Sequence, residues 1–142
     1  LTFLLDINVL VDLIDPTHMN HDPVHIWFAA EGHRSWATCP ITENGVLRII
    51  GNSHYANSPG SPTAVADVLS RLCALPGQIF WPDDISLLDK RRVDAGRLLT
   101  HKQVTDSYLL ALSAANGGKL ATLDRRLSAA AVTGGAGALH LI

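Results

Sequence analysis

A chain of 142 residues with 47% hydrophobic and 17% charged side chains suits one domain around a substantial core and excludes a disordered polymer. Its net charge of −2 excludes a whole-chain basic field, so any contact with a polyanion must come from a local patch or a bound cation.

Phe3-Leu4-Leu5 is a short apolar run that reads as a buried strand ending at Asp6. Asn8 is the expected cap of a short helix over Val9 to Ile14, stopped by Asp15-Pro16. Beyond the polar turn His18 to Asp22, Pro23 suits the first turn of a helix capped by Asp22 and running to Gly32. Ser35 to Cys39 alternates as a second strand. Pro40 ends it and opens a helix over Ile41 to Ile50, with Val46, Leu47, Ile49 and Ile50 as its core face and Gly51 as its stop.

The Ser-, Asn-, Gly- and Pro-rich stretch Asn52 to Pro62 is the expected mobile loop. Ser61-Pro62 caps and starts a helix through Leu75, and Gln78 to Trp81 forms a third strand cut off by Pro82. Two helices are expected next, over Leu87 to Leu99 and Lys102 to Ala115, the second ended by Asn116-Gly117-Gly118. A fourth strand at Leu120 to Leu123, a brief helix at Arg126 to Val132 and a fifth strand at Ala138 to Ile142 complete the chain. Strands alternating with helices predict an α/β fold: one domain over residues 1–142, with a mainly parallel sheet of four to five strands covered on both faces.

Against this frame four acids stand out among the 13 in the chain: Asp6, Glu43, Asp106 and Asp124. Ligands of open α/β sheets bind beyond the carboxyl ends of the strands. Asp6 and Asp124 each follow a strand, Glu43 lies in the first turn of the helix after the second strand, and Asp106 lies near the start of its helix. If they meet, close carboxylates repel by about 4 kcal/mol per pair at ~4 Å and an effective dielectric of ~20. Either some protonate or a divalent cation sits among them. Oxygen-only ligands favour Mg2+ or Mn2+, and metal-assisted phosphodiester hydrolysis is the chemistry such a cluster performs. Asn8 and Thr105, beside Asp6 and Asp106, are candidates to hold a carboxylate or a water in place. Each acid has a structural explanation when taken singly, as a helix cap or a favourable charge on a helix dipole.

The blocks Leu4-Leu5-Asp6-Ile7-Asn8-Val9-Leu10, Thr42-Glu43-Asn44-Gly45, Val104-Thr105-Asp106-Ser107-Tyr108-Leu109-Leu110-Ala111-Leu112 and Leu120-Ala121-Thr122-Leu123-Asp124 resemble, in order and spacing, PIN-domain ribonucleases of the VapC toxin family. The resemblance implies an α/β/α sandwich in which Asp6, Glu43, Asp106 and Asp124 bind Mg2+ or Mn2+. It implies cleavage of single-stranded regions of RNA (tRNA, rRNA or mRNA) to 5′-phosphate and 3′-hydroxyl ends. It further implies a homodimer, neutralised by a VapB-type antitoxin in a heterotetramer or larger assembly.

Two other functions compete. Asp6-Ile7-Asn8-Val9-Leu10 resembles the nucleophile motif of haloacid-dehalogenase-type phosphatases, except that Asn8 replaces the second Asp. A non-catalytic PIN relative that binds RNA or protein is the other. For substrate contact, Arg125 and Arg126 beside Asp124 are the nearest cations, and Lys90-Arg91-Arg92 is the only basic run.

His21 and His25 have metal-ligand spacing but no evident third ligand. Trp27, Trp36 and Trp81 read as core rather than as base-stacking platforms. Cys39 and Cys73 form no disulfide framework and read as small core residues. No run reaches the roughly 18–20 apolar residues of a membrane span, and no leader is visible, so a cytoplasmic location is expected. Leu1 in place of Met leaves a trimmed start and a non-standard start codon both open.

Overall fold

Three wholly buried residues, Phe3–Leu5, form the central strand β1 in the computed structural model, which describes residues 1–142. β2 (Trp36–Thr38), β3 (Gln78–Phe80), β4 (Lys119–Thr122) and β5 (Leu139–Leu141) complete a sheet of order β3-β2-β1-β4-β5, with every neighbouring pair parallel. Leu4 lies opposite Ala37 on one side and Leu120 on the other.

Side chains alternate across the pleat. Phe3, Leu5, Trp36 and Ala121 therefore face one core, while Leu4, Ala37 and Leu120 face the other. The first core is covered by α1 (Ile7–Ile14), α2 (His21–Ala30), α3 (Pro40–Ile50) and α4 (Pro62–Cys73). The second is covered by α5 (Gln103–Ala115), whose Leu109, Leu110 and Leu112 are fully buried, and by irregular chain from Trp81 to Ala138. At about 1.5–3 kcal/mol per fully buried large apolar side chain, those three leucines hold α5 firmly to the sheet. Trp36 and Trp81 are core residues and Trp27 is half-buried against Phe3; both cysteines are free thiols. No helix is long and apolar enough to cross a membrane.

The chain builds outward from β1 through β2 to β3, then returns to the opposite side of β1 as β4. The direction of strand order therefore reverses between β1 and β4, which is where open sheets leave a crevice for ligands.

Several expectations change. The cap of α1 is Asp6, whose Oδ1 accepts from the Ile7 N–H at 2.7 Å, and Asn8 lies inside the exposed first turn. The next helix starts at His21 after Asn20, so Asp22 is a first-turn acid rather than a cap. His21 and His25 both hydrogen-bond backbone carbonyls near the end of α1, those of Asp12 and Leu13. The loop before α4 is tied down: Tyr55 and Asn57 donate to the Asp15 carboxylate at 2.5 and 2.8 Å.

Neither Leu87 to Leu99 nor Arg126 to Val132 forms an α-helix; the first contains only a 3-10 turn, Ala95–Arg97. Short side chains divert the backbone instead: Ser86, Asp89, Asp94, Asp124 and Ser128 each accept a backbone N–H two residues on. The two stretches then pair with each other. Asp94 N–H donates to the Ala131 carbonyl, Thr133 N–H donates to the Arg92 carbonyl, and Val93 bridges Val132.

Gly45 sets how α3 meets α1. A Cβ there would lie 2.4 Å from Ile7 Cδ1 and 2.8 Å from its Cγ1, so a larger residue would have to displace the Ile7 side chain or move α3.

Candidate active site

Asp6 leaves the carboxyl end of β1 with 6% of its surface exposed, and both of its oxygens are engaged. Oδ1 caps α1, and Oδ2 accepts from the Thr122 hydroxyl at 2.7 Å. Burial pushes the Asp6 carboxyl up; the Thr122 and Ile7 hydrogen bonds pull it back, and the charge of Asp124 raises it again. Thr122 ends β4, the strand on the far side of the crevice, and its hydroxyl also accepts from the Asp124 N–H at 3.1 Å. One buried hydroxyl thus fixes Asp6 and orients the chain at Asp124.

Asp106, in the first turn of α5, is half-buried, and its carboxyl is pushed up to about 6. Burial is the largest cause, followed by the negative charges of Asp6 and Asp124. Three of the four acids therefore share one electrostatic field. Asp106 and Asp124 line one cleft of about 610 Å³ with Lys102, Gln103, Arg126 and Ser128 on its walls. Asp124 also accepts from the Arg126 N–H at 2.8 Å, which keeps its carboxylate on that side.

Glu43 stands apart. It accepts from the Thr38 hydroxyl at 2.7 Å, and Thr38 in turn accepts from Gln78 Nε2 at 3.0 Å. Its carboxylate lines a separate groove between α3 and α4 with Leu47, Leu69 and Cys73, and it is not among the charges acting on Asp6 or Asp106. As the side chains stand, no three carboxylate, imidazole or thiol groups are close enough to hold one metal ion. The donor set still fits a hard cation. It offers oxygen ligands alone, and two of the three clustered carboxyls are raised by neighbouring negative charge that a divalent ion would cancel.

Asn8 and Thr105 are exposed and bond to neither carboxylate. That work falls to Thr122 and Thr38, which end the two strands flanking β1. The signal was available in a threonine closing each apolar strand run, since a hydroxyl there reaches the carboxylates past the strand ends. Arg126 lines the cleft, whereas Arg125 is exposed outside it. Within the basic run, Arg91 and Arg92 both pair with Asp89.

The sequence matches the PIN domain family over residues 3–132. The chain belongs to the PIN-domain family. Among curated proteins, this PIN domain is 40% identical to Ribonuclease VapC44 of Mycobacterium tuberculosis over 92% of each chain. It is 38% identical to Ribonuclease VapC39 of the same organism, over 94% of this chain and 96% of the relative. Among solved structures it resembles VapBC2 from Rickettsia felis bound to a DNA fragment from their promoter, at a TM-score of 0.55 and 11% identity over 89% of this chain and 90% of that one. The latter likeness supports the fold. The family match takes in Asp6 to Leu10, the stretch that also resembled a phosphatase motif.

Proposed function

We infer that this PIN domain is a VapC-type endoribonuclease, the toxin of a toxin–antitoxin pair, and that it hydrolyses single-stranded RNA with the help of Mg2+ or Mn2+. The observation that carries the reading is the convergence of Asp6, Asp106 and Asp124 at the reversal point of the sheet, with Asp106 raised to about 6 by burial first and then by the charges of Asp6 and Asp124.

Asp6, Asp106 and Asp124 would hold the cation, and Glu43 would join them by leaving Thr38. Bound there, the metal supplies the Lewis acidity that phosphodiester hydrolysis requires. The chain's own part is positioning. Thr122 keeps Asp6 in one rotamer, α5 presents Asp106 from a rigid first turn, and Lys102 and Arg126 meet the phosphates of the incoming strand. A VapB-type antitoxin, a homodimer and a larger toxin–antitoxin complex are the partners this reading carries.

The test is cleavage of total RNA by purified protein, followed by sequencing of the 5′-phosphorylated ends. Cleavage should need Mg2+ or Mn2+, stop on chelation and be abolished in Asp6→Asn, which still caps α1 because Asn caps as well as Asp. Undiminished cleavage by Asp6→Asn, or in excess chelator, would sink the assignment.

A further inference from the structure

We propose that a second cleft, lined by Ile7, Asn44, Arg48, Asp83 and Thr105, is a binding subsite for the RNA strand on the other side of the acids. It measures about 440 Å³, within the roughly 300–1,000 Å³ of small-ligand sites. The proposal rests on the nuclease reading and deepens it, because it gives the strand a path across the site.

Position is the first argument. Ile7 directly follows Asp6, and Thr105 directly precedes Asp106. Consecutive residues in the first turn of α5 thus face two clefts, Thr105 this one and Asp106 the larger one. Asp6 and Asp106 therefore stand where the two clefts approach each other. A strand crossing that turn would place phosphates in both clefts, with the scissile bond between them.

Chemistry is the second. Asn44 and Arg48 are four apart and so lie on one face of α3. Asn44, Arg48 and Thr105 are exposed, and none of their side chains hydrogen-bonds or ion-pairs with the protein. By contrast Arg71, Arg91, Arg92 and Arg97 are each held by a neighbouring aspartate. Arg48 is therefore a free guanidinium beside the acids, matching Arg126 and Lys102 across the junction. Asn44 and Thr105 add donors and acceptors suited to base edges and 2′-hydroxyls. Asp83 on the cleft wall repels phosphate towards Arg48 and can accept from an exocyclic amino group. Gly45 favours the arrangement, since a Cβ there would have to displace the Ile7 side chain that lines this cleft.

The experiment measures binding of a fluorescein-labelled, mixed-sequence single-stranded oligoribonucleotide by anisotropy, in Asp106→Asn protein so that the probe stays intact, across a salt series. Adding Arg48→Ala should weaken binding about tenfold and lower the slope of log Kd against log salt by about 0.7, one phosphate contact on a single strand. Arg48→Lys should restore the slope. Asn44→Asp, which sets a negative charge one turn away, should also weaken binding. Arg34, an exposed arginine at the opposite end of β2, is the control, and Arg34→Ala should leave Kd and slope unchanged.

Unchanged Kd and slope in Arg48→Ala, an equal loss in Arg34→Ala, or no binding by the parent protein would each overturn the subsite. If the wild-type chain cleaves RNA while Arg48→Ala binds normally, the subsite falls and the nuclease stands. If the wild-type chain never cleaves yet Arg48→Ala loses binding, the nuclease reading falls and the cleft remains a single-strand binding site.

Discussion

Replacing Asp106 by Asn should stabilise the metal-free protein, and the size of the gain follows from its surroundings. The Asp106 carboxyl rises from 3.8 to about 6, chiefly through burial and then through Asp6 and Asp124. Two units correspond to at most ~3 kcal/mol, and solvent screening of this part-exposed group reduces that to about 1–2 kcal/mol. Between pH ~4 and 6 the carboxyl is protonated in the folded chain but ionised in the unfolded one. Stability therefore falls as pH rises through that window, and the loss is complete above it. Asn never ionises and escapes the loss. Thermal unfolding in chelator at pH 7.5 should thus show Asp106→Asn melting roughly 3–6 °C above wild type, at about 3 °C per kcal/mol for a chain of this size. At pH 4 the two should coincide. Adding Mg2+ should raise the wild type more than the variant, because a ligand stabilises the state that binds it. A variant that melts lower than wild type at pH 7.5, or that shows the same difference at both pH values, would refute the electrostatic reasoning.

Two further outcomes are expected. Thr122→Val removes the donor to Asp6 Oδ2 and the acceptor of the Asp124 N–H, and should cost about 2–4 kcal/mol in urea unfolding at pH 7.5; a loss below ~0.5 kcal/mol would show that the hydroxyl bonds water as well as it bonds these groups. Burial pushes the Asp15 carboxyl up, but hydrogen bonds from Tyr55, Asn57 and Thr17 hold it well below the usual carboxylate range. Such a group stabilises the fold at neutral pH and loses that contribution as pH falls through its folded value. Tyr55→Phe should therefore cost about 1.5–3 kcal/mol at pH 7, with the penalty shrinking in acid; a pH-independent difference would count against the charged hydrogen bond.

The parts of this fold legible in the sequence are those where a local signal and the tertiary setting agree. Phe3-Leu4-Leu5 and Leu120-Ala121 are apolar on both faces because both faces of the sheet are covered. Pro40 and Gly51 bracket α3, and Asn116-Gly117-Gly118 ends α5, with Gly117 taking a φ of +68°. The two lost helices show the converse. Leu87 to Leu99 and Arg126 to Val132 contain helix-forming residues, yet Asp89, Asp94 and Asp124 each capture a nearby N–H. The backbone then bonds to a partner more than thirty residues away, which local propensity does not report. At the site, strand ends and helix starts placed Asp6, Asp106 and Asp124. The direction of Glu43 depends on Thr38 and Gln78, a contact between strands 40 residues apart that helix position alone does not disclose.

The site draws on two kinds of scaffold. Asp6, the Thr122 that holds it, and Asp106 stand on strand ends and a helix turn locked into the sheet. Asp124, Arg126 and Ser128 stand on the irregular chain that follows β4. Exchanges at Arg126 or Ser128 can reshape the cleft wall while Asp6 and Asp106 keep their places.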